Sequence, residues 1–219
     1  MRINRYIALA TGLGRRKVDV LINTKQVMVN SKNAIIGQNI NAKDNVYLNG
    51  DLLNLPNRKI LLALNKPPGF VVSRLGQNNK TIYDLLPKVY HILKPIGRLD
   101  KDSSGLLLLT NDGDLAFRLT HPNFEKDKVY IVHLDKILTH QDLLKVQNGI
   151  LLSDGISKLK ITVLGINKYK ITLSEGRNRQ IRRTFEKLGY KVEDLDRTTF
   201  DKYKKDNIKL GEYKIIDTI

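Results

Sequence analysis

Apolar and polar residues along the chain follow two rhythms. Ile3, Ile7 and Ala10 recur at helical spacing, Gly12 and Gly14 interrupt them, and Val18, Leu21 and Ile22 resume the period, which predicts two short helices. The period then drops to two. Val27 and Val29 share one side, and Val46 and Leu48 repeat the alternation across an Asn-, Gly- and Lys-rich connection, which predicts a hairpin. A turn-rich join at residues 49–58 separates this helix-plus-hairpin unit, placed at residues 1–55, from a longer unit at 58–219. In the longer unit residues 60–64, 106–109, 129–134, 159–164 and 171–173 read as strands, and residues 115–119, 143–146 and 181–188 as helices. Most of the strands alternate rather than being apolar throughout. The expectation is therefore an α+β fold whose main sheet is mixed or antiparallel, with helices packed on one face.

Composition narrows the partners. With 38 Lys plus Arg against 22 Asp plus Glu in 219 residues, the formal charge is +16, which favours a polyanion such as nucleic acid. Residues 1–55 hold eight of the basic residues and three of the acidic ones, so both units are basic. Arg2, Arg5, Arg15, Arg16 and Lys17 fall on the predicted helices and their joint, where they could follow a phosphate backbone or simply form a solvated face. The chain has no cysteine, which excludes thiolate metal sites, disulfides and thiol nucleophiles. No stretch approaches the ~18 apolar residues of a membrane span, and the first residues do not read as a cleaved leader. The expectation is a cytoplasmic protein. His91, His121, His133 and His140 show no metal-ligand spacing, and no metal is expected.

The candidate chemistry lies in a polar loop set against an apolar strand: Gly97-Arg98-Leu99-Asp100-Lys101-Asp102-Ser103-Ser104-Gly105, then Leu106-Leu107-Leu108-Leu109-Thr110-Asn111-Asp112-Gly113. A rigid strand fixes such a loop while leaving it open to substrate. Asp100 and Asp102 are the candidate carboxylates. As a calcium loop the segment matches the first six positions, but Asn111 stands where a bidentate Glu belongs. As a glycosidase pair, two carboxylates two residues apart do not oppose each other across a sugar bond. Asp102 and Ser103 are best read as fixing a turn.

This segment closely resembles the signature of the pseudouridine synthases that modify ribosomal RNA. Leu64-Asn65-Lys66-Pro67-Pro68-Gly69 resembles the first motif of that family, Lys128-Val129-Tyr130 a later strand motif and Gly176-Arg177-Asn178-Arg179-Gln180-Ile181-Arg182-Arg183 the last. Arg2-Ile3-Asn4-Arg5-Tyr6-Ile7-Ala8, Arg15-Arg16 and Val27-Met28-Val29-Asn30 resemble the αL-type RNA-binding domain of ribosomal small-subunit protein four. Lys25 stands where that domain usually has glycine, and Asn30-Ser31 where it has Asn-Gly. The closing segment from Leu195 to Phe200 follows the family only loosely.

The resemblance implies isomerisation of a uridine in ribosomal RNA, large-subunit in preference to small, without metal or cofactor, by a protein expected to be a monomer. Asp100 would be the catalytic carboxylate, Tyr130 the residue that stacks on the extruded base and Arg182 the ion-pair partner of Asp100. Arg98 would shape the loop or assist flipping of the base, Leu188 would lie beside the site or simply in the core, and Arg177, Asn178, Arg179 and Arg183 would contact RNA. Two other functions fit less of the pattern: a ribosome-associated RNA-binding protein without catalysis, and a synthase acting on transfer RNA.

Overall fold

The computed structural model describes residues 1–56, 58–121, 124 and 126–216. The last three residues of the 58–219 unit therefore lie outside the described part.

The first unit contains α1 (Ile3–Thr11), α2 (Arg15–Asn23), β1 (Val27–Val29), β2 (Lys32–Asn33), β3 (Val46–Leu48) and β4 (Asp51–Leu52). Both helices turn their apolar stripes onto the sheet, and Ile3, Ile7, Val18, Ile22, Val27 and Val46 form a core of their own. The predicted pairing of β1 with β3 is present, but the two are not a simple hairpin. Asn30 and Ser31, with φ of 52° and 81°, make a tight turn that adds β2 on the other side of β1, giving the order β2-β1-β3-β4. Lys25 adopts φ 55°, the left-handed conformation for which a glycine would be favoured.

The second unit contains β5 (Leu61–Lys66), β6 (Lys94–Ile96), β7 (Ser104–Thr110), α3 (Gly113–Thr120), β8 (Lys128–Leu134), α4 (His140–Asn148), β9 (Ile150–Leu152), β10 (Gly155–Ser157), β11 (Lys160–Gly165), β12 (Lys168–Leu173), α5 (Gln180–Glu186), β13 (Val192–Phe200), β14 (Tyr203–Lys204) and β15 (Tyr213–Ile216). The large sheet runs β11-β12-β8-β13-β7-β5-β15, with β14 on β13 and β6 on β7. Its pairs are antiparallel except β13 with β7, so the sheet is mixed. β9 and β10 form a separate hairpin.

The expectation that helices cover one face needs correction. In β5 and β7, Leu62, Leu64, Leu107 and Leu109 pack beneath the short 3-10 turns at Ile82–Leu85 and Lys88–Ile92. Leu61, Ala63, Leu106 and Leu108 pack against α3 on the opposite side. Burial on both faces explains the unbroken apolar run at 106–109. In the other half, α4 and α5 pack on Val132, Leu134, Ile171 and Leu173.

The two units touch where α1 meets the second 3-10 turn. Gly12 has φ 75°, and a Cβ there would lie 2.9 Å from the Ile92 backbone and from the Arg74 guanidinium. Arg5 reaches across to Asp114 of α3 at 2.8 Å.

Candidate active site

The loop from Gly97 to Ser103 joins two paired strands, β6 and β7, and its backbone is held from below. Lys66, at the end of β5, is 0% exposed, and its Nζ donates to the carbonyls of Pro67 (3.0 Å), Lys101 (3.2 Å) and Ser103 (2.7 Å). Three N–H groups thus meet three acceptors. The Gly69 amide donates to the Lys101 carbonyl at 2.8 Å, and Arg182 on α5 donates to the Asp102 carbonyl at 3.0 Å. Leu99 is buried in the core beside the loop. The side chain of Asp100 is left 31% exposed, its carboxylate facing out of this scaffold.

Asp100 opens into a cleft of about 1230 Å³ whose lining includes Arg98, Lys128, Tyr130, Arg179, Arg197 and Phe200. Tyr130 stands on β8 between Ile171 of β12 and Arg197 of β13, half-buried and packed against two core clusters. The expected strand position and the expected cleft position are therefore both occupied by this one ring. Leu188 packs at the edge of the neighbouring core.

The arginines divide differently from the expectation. The cation beside Asp100 is Arg179, 3.8 Å from its carboxylate and 3.6 Å from that of Asp102. Arg182 forms no ion pair with Asp100; its Nη1 donates to the Val192 carbonyl at 2.9 Å and its Nη2 to the loop backbone. It positions the loop. Burial and the nearby Arg179 charge lower its proton affinity, opposed by Asp102 and Asp100. Arg98 is exposed at the rim and makes no hydrogen bond or ion pair among the described residues, so Lys66 and Arg182, not Arg98, shape the loop.

Arg177 and Arg183, expected on RNA, both bind Asp154 in the turn between β9 and β10, at 3.1 and 2.7 Å. They tie the last motif to that hairpin, while Asn178 and Arg179 remain exposed. On the first unit Arg2, Arg16 and Lys17 are exposed, Arg15 donates to Asn4 at 3.3 Å and Arg5 is engaged by Asp114.

Lys66 is a site residue whose role is not evident from the motif that contains it. Burial pushes it down from its ordinary 10.5 to about 8, although Asp100 and Asp102 pull it upward. Above pH 8 the neutral amine has one donor fewer for its three carbonyls. The single-turnover rate is expected to fall along a one-proton limb with its midpoint near pH 8, and the limb should be missing in Lys66→Met, which is slow at every pH. Unfolding would give the opposite signature for this group. Between pH 8 and 10.5 the folded lysine binds fewer protons than the unfolded one, so its contribution to stability rises with pH. A rate profile flat to pH 10 would refute this role.

A carboxylate on a rigid loop, an aromatic wall and a ring of cations in one cleft suit a reaction at the sugar of a polyanion. The family model described as RNA pseudouridylate synthase matches residues 60–187, and the chain belongs to that family of uridine isomerases. It is 36% identical over 217 residues to the dual-specificity RNA pseudouridine synthase RluF of Escherichia coli (strain K12), covering 98% of this chain and 74% of the relative. It is also 36% identical over 208 residues to the ribosomal large subunit pseudouridine synthase B of Bacillus subtilis (strain 168), covering 91% and 85%. A crystal structure of a pseudouridylate synthase superposes with a TM-score of 0.71 at 30% identity, over 99% of this chain and 96% of that one.

Proposed function

We propose that this enzyme isomerises a uridine of ribosomal RNA, in the large subunit in preference to the small, acting as a cytoplasmic monomer with residues 1–55 as its RNA-binding domain. Asp100 is the catalytic carboxylate, Tyr130 stacks on the extruded base and Arg179 is the cation beside Asp100, 3.8 Å from its carboxylate. The observation that carries this reading is the cleft itself. Asp100 is partly exposed on a loop whose backbone is tied down by Lys66, Gly69 and Arg182, so the carboxylate can meet substrate while its mounting is rigid.

A uridine in folded RNA must leave its stack at a cost of about a few kcal/mol. An aromatic wall such as Tyr130 returns about 1–3 kcal/mol per stacked base, so extrusion into this cleft is nearly balanced. Exposed Arg16 and Lys17 on α2 support an RNA contact by the first unit. A groove shared by Arg15, Lys94 and the start of α3 continues that basic surface onto the second unit, and Lys94 is lowered by burial and then by the charges of Arg74 and Arg15. Among the described residues no helix is long and apolar enough to cross a membrane.

The test follows tritium released from carbon five of labelled uridine in unmodified large-subunit, small-subunit and transfer RNA. Release from large-subunit RNA alone is expected. Release from transfer RNA alone would replace the substrate assignment, and salt-sensitive binding of RNA without release from any would overturn it.

A further inference from the structure

Arg197 lies on β13 directly opposite Tyr130 of β8 and beside Gly105 of β7. Directly opposed residues of an antiparallel pair present their side chains to the same face, and Arg197, Lys128, Tyr130 and Phe200 all line the cleft. Arg197 is only 2% exposed. Its Nε donates to the Leu106 carbonyl at 2.8 Å, its guanidinium lies 5.1 Å from the centre of the Phe200 ring, and its Nη2 has no acceptor among the described residues. Arg197 makes no ion pair among the described residues, and Asp196, next in the strand, is taken by Lys205 at 2.5 Å. Lys128 brings a second cation to this wall and is held below its usual value by burial and then by the charge of Arg197. Leaving a buried cation without an anion is costly, and the cost is recovered when an anion arrives with the substrate.

We propose that Arg197 is the cation that receives the negative charge of the departing base during isomerisation, an inference that rests on the function given above. When the N1–C1′ bond breaks, its electron pair leaves with the base, and the resulting uracil anion spreads its charge over N1 and the two carbonyl oxygens. This holds whether the Asp100 carboxylate adds to C1′ or removes the C2′ proton. After rotation, the base supplies an electron pair from C5 to form the new bond to C1′. As that bond forms the carboxylate leaves with its own pair, or the proton returns to C2′; the C5 proton then passes to solvent and N1 takes up a proton in its place. The product is an isomer of the substrate, and charge exists on the base only between the two bonds. A donor fixed in a water-poor site stabilises such transient charge without reorganising.

The anion could instead be a phosphate of the extruded nucleotide. Position favours the base. Exposed cations of the cleft, Arg98, Lys158, Lys160 and Arg179, lie where a phosphate stays solvated, whereas Arg197 is buried in the wall across from the stacking ring.

The experiment compares native protein, Arg197→Met and Arg197→Lys for RNA affinity and for single-turnover rate at saturating large-subunit RNA. Arg197→Met is expected to bind RNA within about twofold of native and to lose about 10²–10³-fold in rate, the range for removing one charge-stabilising donor, with Arg197→Lys recovering part of the loss. A rise in Kd that accounts for the whole defect would assign the guanidinium to a phosphate and overturn the proposal. So would an unchanged rate. The native protein supplies a second measurement that needs no variant. Barbiturate, a planar pyrimidine anion at neutral pH, should inhibit at a concentration at least tenfold below that of neutral uracil, whereas inorganic phosphate should show no such advantage. Equal inhibition by barbiturate and uracil would overturn the proposal even if both variants unfold. Native protein that turns over no RNA overturns the function and this inference together; native turnover with either failure above overturns this inference alone.

Discussion

Replacing Asp100 by Asn is expected to reduce the rate of tritium release by at least about 10³-fold, since a positioned carboxylate acting as base or nucleophile contributes on that order. RNA affinity should be unchanged or slightly higher, because a negative charge is removed from a basic cleft. The fold should tolerate the change. Lys66, Gly69 and Arg182 hold the loop through backbone carbonyls, and the only ion pair of Asp100 among the described residues is the 3.8 Å contact with Arg179. Stability should therefore stay within about 0.5 kcal/mol of native, as for other partly exposed substitutions. Measuring release, filter binding and urea unfolding on the same preparation separates these claims. Retained turnover would transfer the chemistry to Asp102, whose carboxylate lies 3.6 Å from the same arginine and is more exposed.

What the sequence disclosed depended on whether a residue acts through pattern or through geometry. Helices α1 to α5 and strands β5, β7, β8 and β12 have apolar spacing that follows the side they bury, whereas β11 reads as a strand although only Ile161 of it is buried. The strand β13 was not legible, although at nine residues it is the longest described and lies mid-sheet. Register shifts between Val192 and Asp194 and between Arg197 and Thr199 break its alternation, and Glu193, Asp194, Asp196 and Arg197 make it read as polar. Arg197 therefore carries no local signal of a site residue. Its environment depends on a bulge and on the neighbouring strands, neither of which leaves a trace in local spacing. The motif Gly176 to Arg183 likewise identified a cluster of arginines without apportioning them. Which of them meets Asp100 depends on the left-handed turn at Arg179, φ 46°, and on the capture of Arg177 and Arg183 by Asp154 from a distant hairpin. Asp100 and Tyr130, which stand in separate motifs, come together on one cleft. The support supplied by Lys66 required the fold.

Gly105→Ala should be a strongly damaging single-methyl change in the second unit, and Gly113→Ala a mild one, although both glycines belong to one motif. Gly105 has φ 105°, and an added Cβ would collide with the backbone carbonyl and amide of Arg197 and with the Asp196 carboxylate. The Arg197 atoms are backbone of the one parallel strand pair described in the sheet, β7 with β13, and cannot yield as the end of a flexible side chain would. Left-handed strain costs about 1–2 kcal/mol and overpacking about 1–3 kcal/mol, so a loss of about 3 kcal/mol or more is expected from a total that is typically about 5–15. The catalytic loop should suffer with the strand. Ser104 bonds Asp196 at 3.1 Å and Lys66 holds Ser103, so displacing β7 from β13 moves the base of the Asp100 loop and the wall that carries Arg197. Gly113 opens α3 with no atom within 4 Å of an added Cβ and without a positive φ. Alanine there should be neutral or stabilise by up to about 1 kcal/mol through the unfolded chain. Urea midpoints of the two variants, with single-turnover rates well below either transition, test the contrast. A Gly105→Ala protein with native stability and rate would mean that the two strands can separate without cost, and the mounting of the active site on that contact would have to be abandoned.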